Sequence, residues 1–129
     1  MQETIVNSYH IVRDGFEYTS DMGQFQARED WRDHLDEVND GNGWKDDCDG
    51  FALTCALKLS DAGVSDEAIR IIYCKVETGG GHLVCGADLE DDTLILDNRQ
   101  RYVVSAGELP RYEFISGMRL SEPGVWREI

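Results

Sequence analysis

The chain has 129 residues, of which 41% are hydrophobic and 9% aromatic, and this suits one domain with one hydrophobic core. Twenty-six acidic residues against twelve basic ones give a formal net charge of −14. Such a chain repels nucleic-acid phosphates and anionic lipid headgroups, so we expect neither nucleic acid nor a membrane as a partner. No segment approaches the roughly 18 consecutive apolar residues of a membrane span, and the first residues do not resemble a signal peptide, so we expect a cytoplasmic location.

The four cysteines are Cys48, Cys55, Cys74 and Cys85. None of them belongs to a C-x-x-C pair of the kind that binds zinc or performs thiol redox chemistry. They are also too few, in a chain of this size, to form a disulfide scaffold. We therefore expect reduced thiols.

The amino-terminal part, up to about residue 38, is predicted to be helical, with residues 27–35 the clearest run of helical spacing. Residues 39–47, rich in Asn, Asp and Gly, are predicted to form a loop. The sequence contains no repeat, low-complexity tract or interdomain linker. It therefore predicts a single domain over residues 1–129. The oligomeric state stays open.

The clearest helix in the sequence is predicted from Cys48 to about Asp61. Asp46 and Asp47 lie just before it and suit an N-cap, and Gly63 suits the carboxyl-terminal cap. The apolar residues of this helix form one broad stripe, made of Phe51, Ala52, Cys55, Ala56 and Leu59. Both ends of the helix and its buried face are thus indicated by the sequence.

Five short β-rich runs follow this helix, at residues 69–76, 82–87, 93–97, 102–104 and 112–115. Three consecutive glycines at residues 79–81 are predicted to form a hairpin loop, because the Lys and Ser/Thr of a phosphate-binding loop are missing. Helices followed by an antiparallel sheet indicate an α+β fold.

Cys48 is a candidate nucleophile because it lies in the first turn of the predicted helix. There the free N–H groups and the helix dipole favour a thiolate. Free cysteines are also among the most buried residue types, so an ordinary core cysteine is the alternative on position alone.

His82 and Asp97 are predicted to be cross-strand partners in the second hairpin. If its turn is centred between residues 89 and 90, His82 lies directly across from Asp97, about 5 Å apart at Cβ. The pairs on the other face are then all apolar: Leu83 with Leu96 and Cys85 with Leu94. Because side chains alternate with period two, this apolar face favours the register that joins the imidazole to the carboxylate.

Several segments of the chain resemble the bacterial transglutaminase-like cysteine proteinases, and the similarity spans most of residues 5–116. The matching segments are residues 47–52, 57–64, 70–76, 81–84 and 96–98, with Val6, Asn7, Tyr18, Asp30, Trp31 and Gly43 upstream. The resemblance implies a papain-like, transglutaminase-like α+β fold, in which the nucleophilic Cys begins a helix packed on an antiparallel sheet. It also implies that Cys48, His82 and Asp97 form a catalytic triad.

The resemblance implies a cysteine peptidase or amidase that acts on a protein or peptide by acyl transfer. An oxyanion hole is needed, and the candidates are the Cys48 main-chain N–H with the Asn42 amide or the Trp44 indole as second donor. The best-known members are periplasmic proteases that cut adhesins near a double-alanine site under calcium control. Their location does not transfer to this chain, which shows no export signal.

The helix start departs from the pattern of that family, which usually reads Asp-Cys-Glu-Asp and can bind calcium. Here Asp49 replaces the Glu and Gly50 replaces the last Asp, so Asp47 and Asp49 are the remaining calcium candidates and no cofactor is expected to be required. The neighbouring acids also matter for the thiol, because they can raise its pKa by about 1–3 units. A helix N-terminus offsets less than about one unit.

Two alternatives remain. Residues 47–51 also resemble the Asp-Cys-Ser-Gly-Phe signature of NlpC-type peptidoglycan endopeptidases, which share the papain-like layout. The chain could instead be a catalytically silent binding or inhibitory module of the same fold, such as a bacterial or phage effector. A binder has no need of all three triad residues, which favours the enzyme.

Overall fold

The computed structural model describes residues 2–19 and 34–129. Within these residues three α-helices precede the main sheet, namely α1 (Gln2–Asp14), α2 (Leu35–Asn39) and α3 (Cys48–Asp61). Two short strands, β1 (Phe16–Tyr18) and β2 (Trp44–Asp46), pair in parallel. The prediction of continuous helix up to residue 38 is therefore wrong at β1, and the predicted loop contains β2. Most of the run at residues 27–35 lies outside the described residues.

The carboxyl-terminal part forms a six-stranded sheet in the order β6-β5-β4-β3-β7-β8. The strands are β3 (Ile69–Lys75), β4 (Gly81–Asp88), β5 (Thr93–Leu96), β6 (Val104–Ser105), β7 (Glu113–Arg119) and β8 (Trp126–Glu128). All neighbouring strands in it are antiparallel. This arrangement confirms the α+β prediction, although β8 was not predicted and β7 runs beyond the predicted residue 115.

Helix α3 begins and ends where the sequence indicates. The Asp47 carboxylate accepts hydrogen bonds from the main-chain N–H groups of Asp49 (3.1 Å) and Gly50 (3.2 Å), as an N-cap does. Gly63, just beyond the helix, has φ of 98°, a conformation that glycine adopts without strain. The cap fixes the position of the first turn, and with it the position of Cys48.

One face of the main sheet packs against α3. Phe51, Ala52, Cys55, Ala56 and Leu59 are at most 1% exposed and belong to one core cluster with residues of β4 and β5, including Leu83, Cys85, Ala87, Leu94 and Leu96. The predicted apolar stripe of the helix and the predicted apolar face of the hairpin therefore meet in the core. Burial of these side chains is the main force that holds the helix on the sheet.

The predicted register of the β4–β5 hairpin is wrong by two residues. Cys85 pairs with Leu96 instead of Leu94, and extension of this register places Asp97 opposite Val84. The turn is centred between residues 90 and 91, where the Leu89 N–H donates to the Asp92 carbonyl (2.7 Å). A shift of two leaves every side chain on its face, so the hydrophobic pattern cannot distinguish the two registers.

Polar contacts beside the turn fit the observed register. Asp88 pairs with Thr93, whose hydroxyl donates to the Asp88 carboxylate (2.9 Å). Arg70 on the neighbouring strand β3 also donates to this carboxylate (2.8 Å). In the predicted register Asp88 would not lie across from Thr93, because Gly86 would take that place. These contacts therefore favour the observed pairing over the predicted one.

Tyr9 connects α1 to the chain that follows β5. Its side chain is fully buried, and its hydroxyl donates to the Asp97 carbonyl (2.8 Å) and also contacts the Gln100 carbonyl. The main chain of Asp97 is thus held by the amino-terminal helix. No helix among the described residues has the length and apolar character needed to cross a membrane.

Replacement of Tyr9 by Phe is expected to lower the free energy of unfolding by about 1–2 kcal/mol, because buried carbonyl oxygens lose their O–H donor. Urea unfolding measures the change. Tyr18→Phe, at a side chain that is 52% exposed, is the matched control and should be close to neutral. Equal stabilities of the two variants would contradict the structural role of the Tyr9 hydroxyl.

Candidate active site

Cys48 is the first residue of α3, and its partly buried thiol lies against the start of β4. The main-chain N–H of Leu83 faces the sulfur and acts to lower the pKa of the thiol. Leu83 is the residue after His82, so the packing of α3 brings the thiol to the strand that carries the histidine. The Cys48 thiol donates its hydrogen to the Asp49 carboxylate (Sγ to Oδ1, 3.3 Å) and not to His82.

The surroundings of Cys48 favour the neutral thiol. Burial is the largest effect and, with the negative charges of Asp49 and Asp47, raises the pKa of the Cys48 thiol to about 12. The Leu83 N–H acts in the opposite direction but is outweighed. The acids beside the helix start thus act on the thiol pKa in the direction expected from the sequence, and burial has the larger effect.

His82 and Asp97 form a buried hydrogen-bonded pair. The His82 Nε2 and Asp97 Oδ1 atoms are 2.6 Å apart, and the two residues are only 7% and 1% exposed. Because the hairpin register differs from the predicted one, the two side chains meet diagonally across the strands rather than as direct partners. Nε2 is occupied by the carboxylate, which leaves Nδ1 as the ring nitrogen that can exchange a proton with another group.

Two further groups hold the Asp97 carboxylate. The Tyr112 hydroxyl donates to Oδ2 (2.6 Å) and the Arg99 main-chain N–H donates to Oδ1 (3.0 Å). Burial acts to raise the pKa of Asp97, but the hydrogen bonds from His82, Tyr112 and Arg99 outweigh it, and the pKa lies below its ordinary value. Asp97 is therefore an ionised, oriented acceptor for the imidazole.

Tyr112 also belongs to a cluster that the sequence did not reveal. The Arg99 guanidinium lies over its ring (5.6 Å to the centroid) and donates to its hydroxyl (3.2 Å). Arg99 forms an ion pair with Glu77, in the loop just before β4. Because Arg99, Tyr112 and Glu77 come from three separate segments, only the folded chain brings them together.

The acids at the start of α3 are bound to protein groups. Asp46 accepts from the Asp47 N–H (2.7 Å) and faces the His34 ring (2.8 Å), while Asp47 caps the helix and Asp49 faces the thiol. A Cβ at Gly50 would lie 1.9 Å from an Asp46 carboxylate oxygen, so that carboxylate fills the space beside the first turn. Burial, assisted by Asp49 and Asp46 and opposed by the Gly50 N–H, raises the pKa of Asp47.

These carboxylates do not fit a calcium ion, which requires six to eight converging oxygen ligands. The predicted ligands Asp47 and Asp49 each direct an oxygen to a hydrogen of the protein, and Gly50 supplies no carboxylate. Among residues 2–19 and 34–129 no group of three or more His, Cys, Asp and Glu side chains is arranged to hold a metal ion.

Trp44 and Asn42, the two candidates for the second hydrogen-bond donor to the oxyanion, differ in burial and in hydrogen bonding. Trp44 is 5% exposed, packs against Phe16 and Phe51, and donates its indole N–H to the Val12 carbonyl (3.3 Å). Its indole is thus engaged in the core, which corrects the expectation that it serves the oxyanion. Asn42 is exposed, and its main-chain N–H donates to the Glu37 carbonyl (2.9 Å). An oxyanion role for the Asn42 side chain stays a prediction.

Comparison with known proteins identifies a matching family and similar solved structures. Residues 2–129 match the family described as bacterial transglutaminase-like cysteine proteinase. Solved structures of Legionella pneumophila LapG superpose with a TM-score of 0.72 at 22% identity, and a form described as calcium-bound gives 0.73 at 22% identity. An EGTA-treated form gives 0.76 at 21% identity. These likenesses show that the fold is shared.

The match covers nearly all of this chain but only about two thirds of the LapG chains. The chain is covered over 92% of its length by the first LapG structure and over 99% by the EGTA-treated one, but it spans only 65% and 67% of those proteins. The match to the calcium-bound form likewise covers 92% of this chain and 65% of the LapG chain. No curated protein sequence matches the chain.

Replacement of Asp49 by Asn should lower the pKa of the Cys48 thiol, because it removes a negative charge and the carboxylate that holds the thiol hydrogen. The rate of iodoacetamide alkylation of the Cys48 peptide at about pH 8, measured by mass spectrometry, is expected to rise roughly tenfold. Asp91→Asn, in the exposed turn between β4 and β5, makes the same change of charge and serves as the control. Equal rates in the two variants would contradict the proposed electrostatics.

Replacement of Tyr112 by Phe is expected to destabilise the chain by about 1–2 kcal/mol at neutral pH and to raise the pKa of Asp97. The folded pKa of Asp97 is below its unfolded value, so its stabilisation is fully present above about pH 4 and is lost as the pH falls through the folded pKa. Urea unfolding at several pH values should show the Tyr112→Phe deficit shrinking in acid. Tyr102→Phe, at a side chain 62% exposed, should show no such deficit.

Proposed function

Because the chain belongs to the family of bacterial transglutaminase-like cysteine proteinases, we propose that it is a cysteine peptidase or amidase with Cys48 as nucleophile, His82 as base and Asp97 as orienting carboxylate. The observation that carries this proposal is the buried His82–Asp97 hydrogen bond of 2.6 Å. It lies on strand β4, against which the helix that begins with Cys48 packs. Cys48 on α3, His82 on β4 and Asp97 after β5 lie on elements that pack or pair with one another, which supports the proposed roles.

In the proposed reaction His82 accepts the thiol proton at Nδ1, because Asp97 occupies Nε2. The Cys48 sulfur forms a bond to the amide carbonyl carbon, and the carbonyl oxygen becomes an oxyanion. The Cys48 main-chain N–H is the proposed donor to that oxyanion. The C–N bond then breaks, the His82 proton passes to the leaving amine, and a thioester remains. A water molecule, deprotonated by His82, attacks the thioester and releases the acid and the thiol.

The raised pKa of the resting thiol bears on how this reaction starts. With a pKa of about 12, Cys48 is not a preformed thiolate, so His82 acts as a general base while the sulfur attacks. The thiol must first turn away from Asp49 toward the imidazole. The ionised Asp97 then stabilises the imidazolium that forms.

The proposed substrate is an amide bond of a protein or peptide. The net charge of −14 disfavours nucleic acid as a partner and favours substrates without strong negative charge. A reducing compartment such as the cytoplasm is proposed because all four cysteines are unpaired. Every group in the proposed reaction is a protein side chain, a main-chain group or water, so no cofactor is required. Membership of the transglutaminase-like family displaces the peptidoglycan endopeptidase alternative.

Replacement of Cys48 by Ala is expected to reduce peptide cleavage by roughly 10⁴-fold or more, because the sulfur that attacks the carbonyl is lost. The measurement is mass-spectrometric detection of new amino termini in a proteome-derived peptide library. Cys55→Ala, on the same helix but fully buried, should keep activity, and thermal unfolding should show both variants folded.

Two outcomes would overturn the proposal. Undiminished cleavage by the Cys48→Ala variant would exclude Cys48 as nucleophile. A wild-type chain that cleaves no peptide in the library would favour the catalytically silent binding module of the same fold.

A further inference from the structure

His34 lies between two carboxylates next to the start of α3. Its Nε2 is 2.8 Å from an Asp46 carboxylate oxygen, and its Nδ1 is hydrogen-bonded to the Glu37 carboxylate. The ring is stacked on Trp44, with centroids 4.7 Å apart and planes inclined by 24°, and its side chain is 16% exposed. The imidazole is therefore held on both edges and on one face.

The contacts of this ring match the hydrogen-bond donors of an imidazolium. Both ring nitrogens face carboxylate oxygens, which are acceptors, and a neutral imidazole has only one N–H to donate. The imidazolium has two, and it satisfies Asp46 and Glu37 together. A positive charge in this position offsets part of the negative charge that Asp46, Asp47 and Asp49 place around the first turn of α3.

Gly50 makes this arrangement possible. The Asp46 carboxylate occupies the space that a side chain at residue 50 would need, since a Cβ there would be 1.9 Å from its nearer oxygen. The other oxygen of Asp46 accepts the Asp47 N–H (2.7 Å), so the carboxylate connects His34 to the residue that caps the helix. Any larger residue at position 50 would displace Asp46 from this space.

We propose that the His34 imidazolium is a built-in cation that orients and neutralises the carboxylates at the start of α3, so that this helix start is fixed without a bound calcium ion. The calcium-bound structure of LapG concerns a chain that shares only 22% of its residues with this one. Here the positive charge comes from a side chain whose partners are already in place. The inference concerns the same helix start as the proposed function but is tested without any substrate, so either can fail alone.

The experiment measures the melting temperature (Tm) of the full chain in millimolar calcium chloride and in EGTA. The wild-type Tm is expected to be the same in both, and calorimetric titration with calcium chloride should show no stoichiometric binding. His34→Gln keeps a polar side chain but loses the charge, and its Tm in EGTA should fall by about 5 °C or more. Because Asp46 and Glu37 then lack their cation, calcium should restore part of this loss.

Two controls separate charge from packing. His10→Gln makes the same substitution at a histidine that contacts the rings of Tyr9 and Tyr102. Its Tm should be the same in calcium chloride and in EGTA, as expected for the wild type. His34→Lys keeps a positive charge but cannot stack on Trp44 as an imidazole does. Its Tm should fall by less than half as much as that of His34→Gln, and it should gain no calcium response.

Several results would overturn the proposal. Stoichiometric calcium binding by the wild-type chain would do so, and this titration needs no variant to fold. Equal Tm values for wild type and His34→Gln in EGTA would show that the ring carries no such role. Equal losses in the Gln and Lys variants would assign the effect to stacking on Trp44 instead of charge.

Discussion

The packing of helix α3 against strand β4 is the interaction on which the rest of the site depends. Apolar side chains of the helix are buried against Leu83, Cys85 and Ala87, and this contact presents the first turn of the helix to the start of the strand. The main-chain N–H of Leu83 faces the Cys48 sulfur as a result and acts to lower the pKa of the thiol. A hydrophobic contact therefore sets a polar geometry, because dense packing allows few relative positions of helix and strand.

The same helix start contains an electrostatic conflict. A helix that begins in the protein interior needs a cap, and Asp47 supplies it, yet its carboxylate and that of Asp49 disfavour a thiolate at Cys48. The proposed reaction avoids this conflict, because a general base removes the thiol proton only as the sulfur attacks and no preformed thiolate is needed. In our proposal the hydrogen-bonded His34 separately offsets negative charge around the helix start.

Local signals in the sequence were sufficient for much of the fold. The bounds of α3, its Asp47 cap and the positions of β3, β4 and β5 follow from spacing and capping chemistry, which act over a few residues. Signals were weaker where a segment is short or depends on a distant partner. Strand β1 exists because it pairs with β2, nearly thirty residues later, and no periodicity in three residues reveals that.

The sequence by itself determined which residues face the core, and it identified Cys48, His82 and Asp97 as candidates. Only the tertiary structure decided the hairpin register, because a period of two is unchanged by a slip of two and the turn alone separates the alternatives. It also brought Tyr112 to Asp97, and His34 to Asp46, across 15 and 12 residues of chain. Hydrogen bonds between side chains depend on positions in space, which no local pattern of residues encodes.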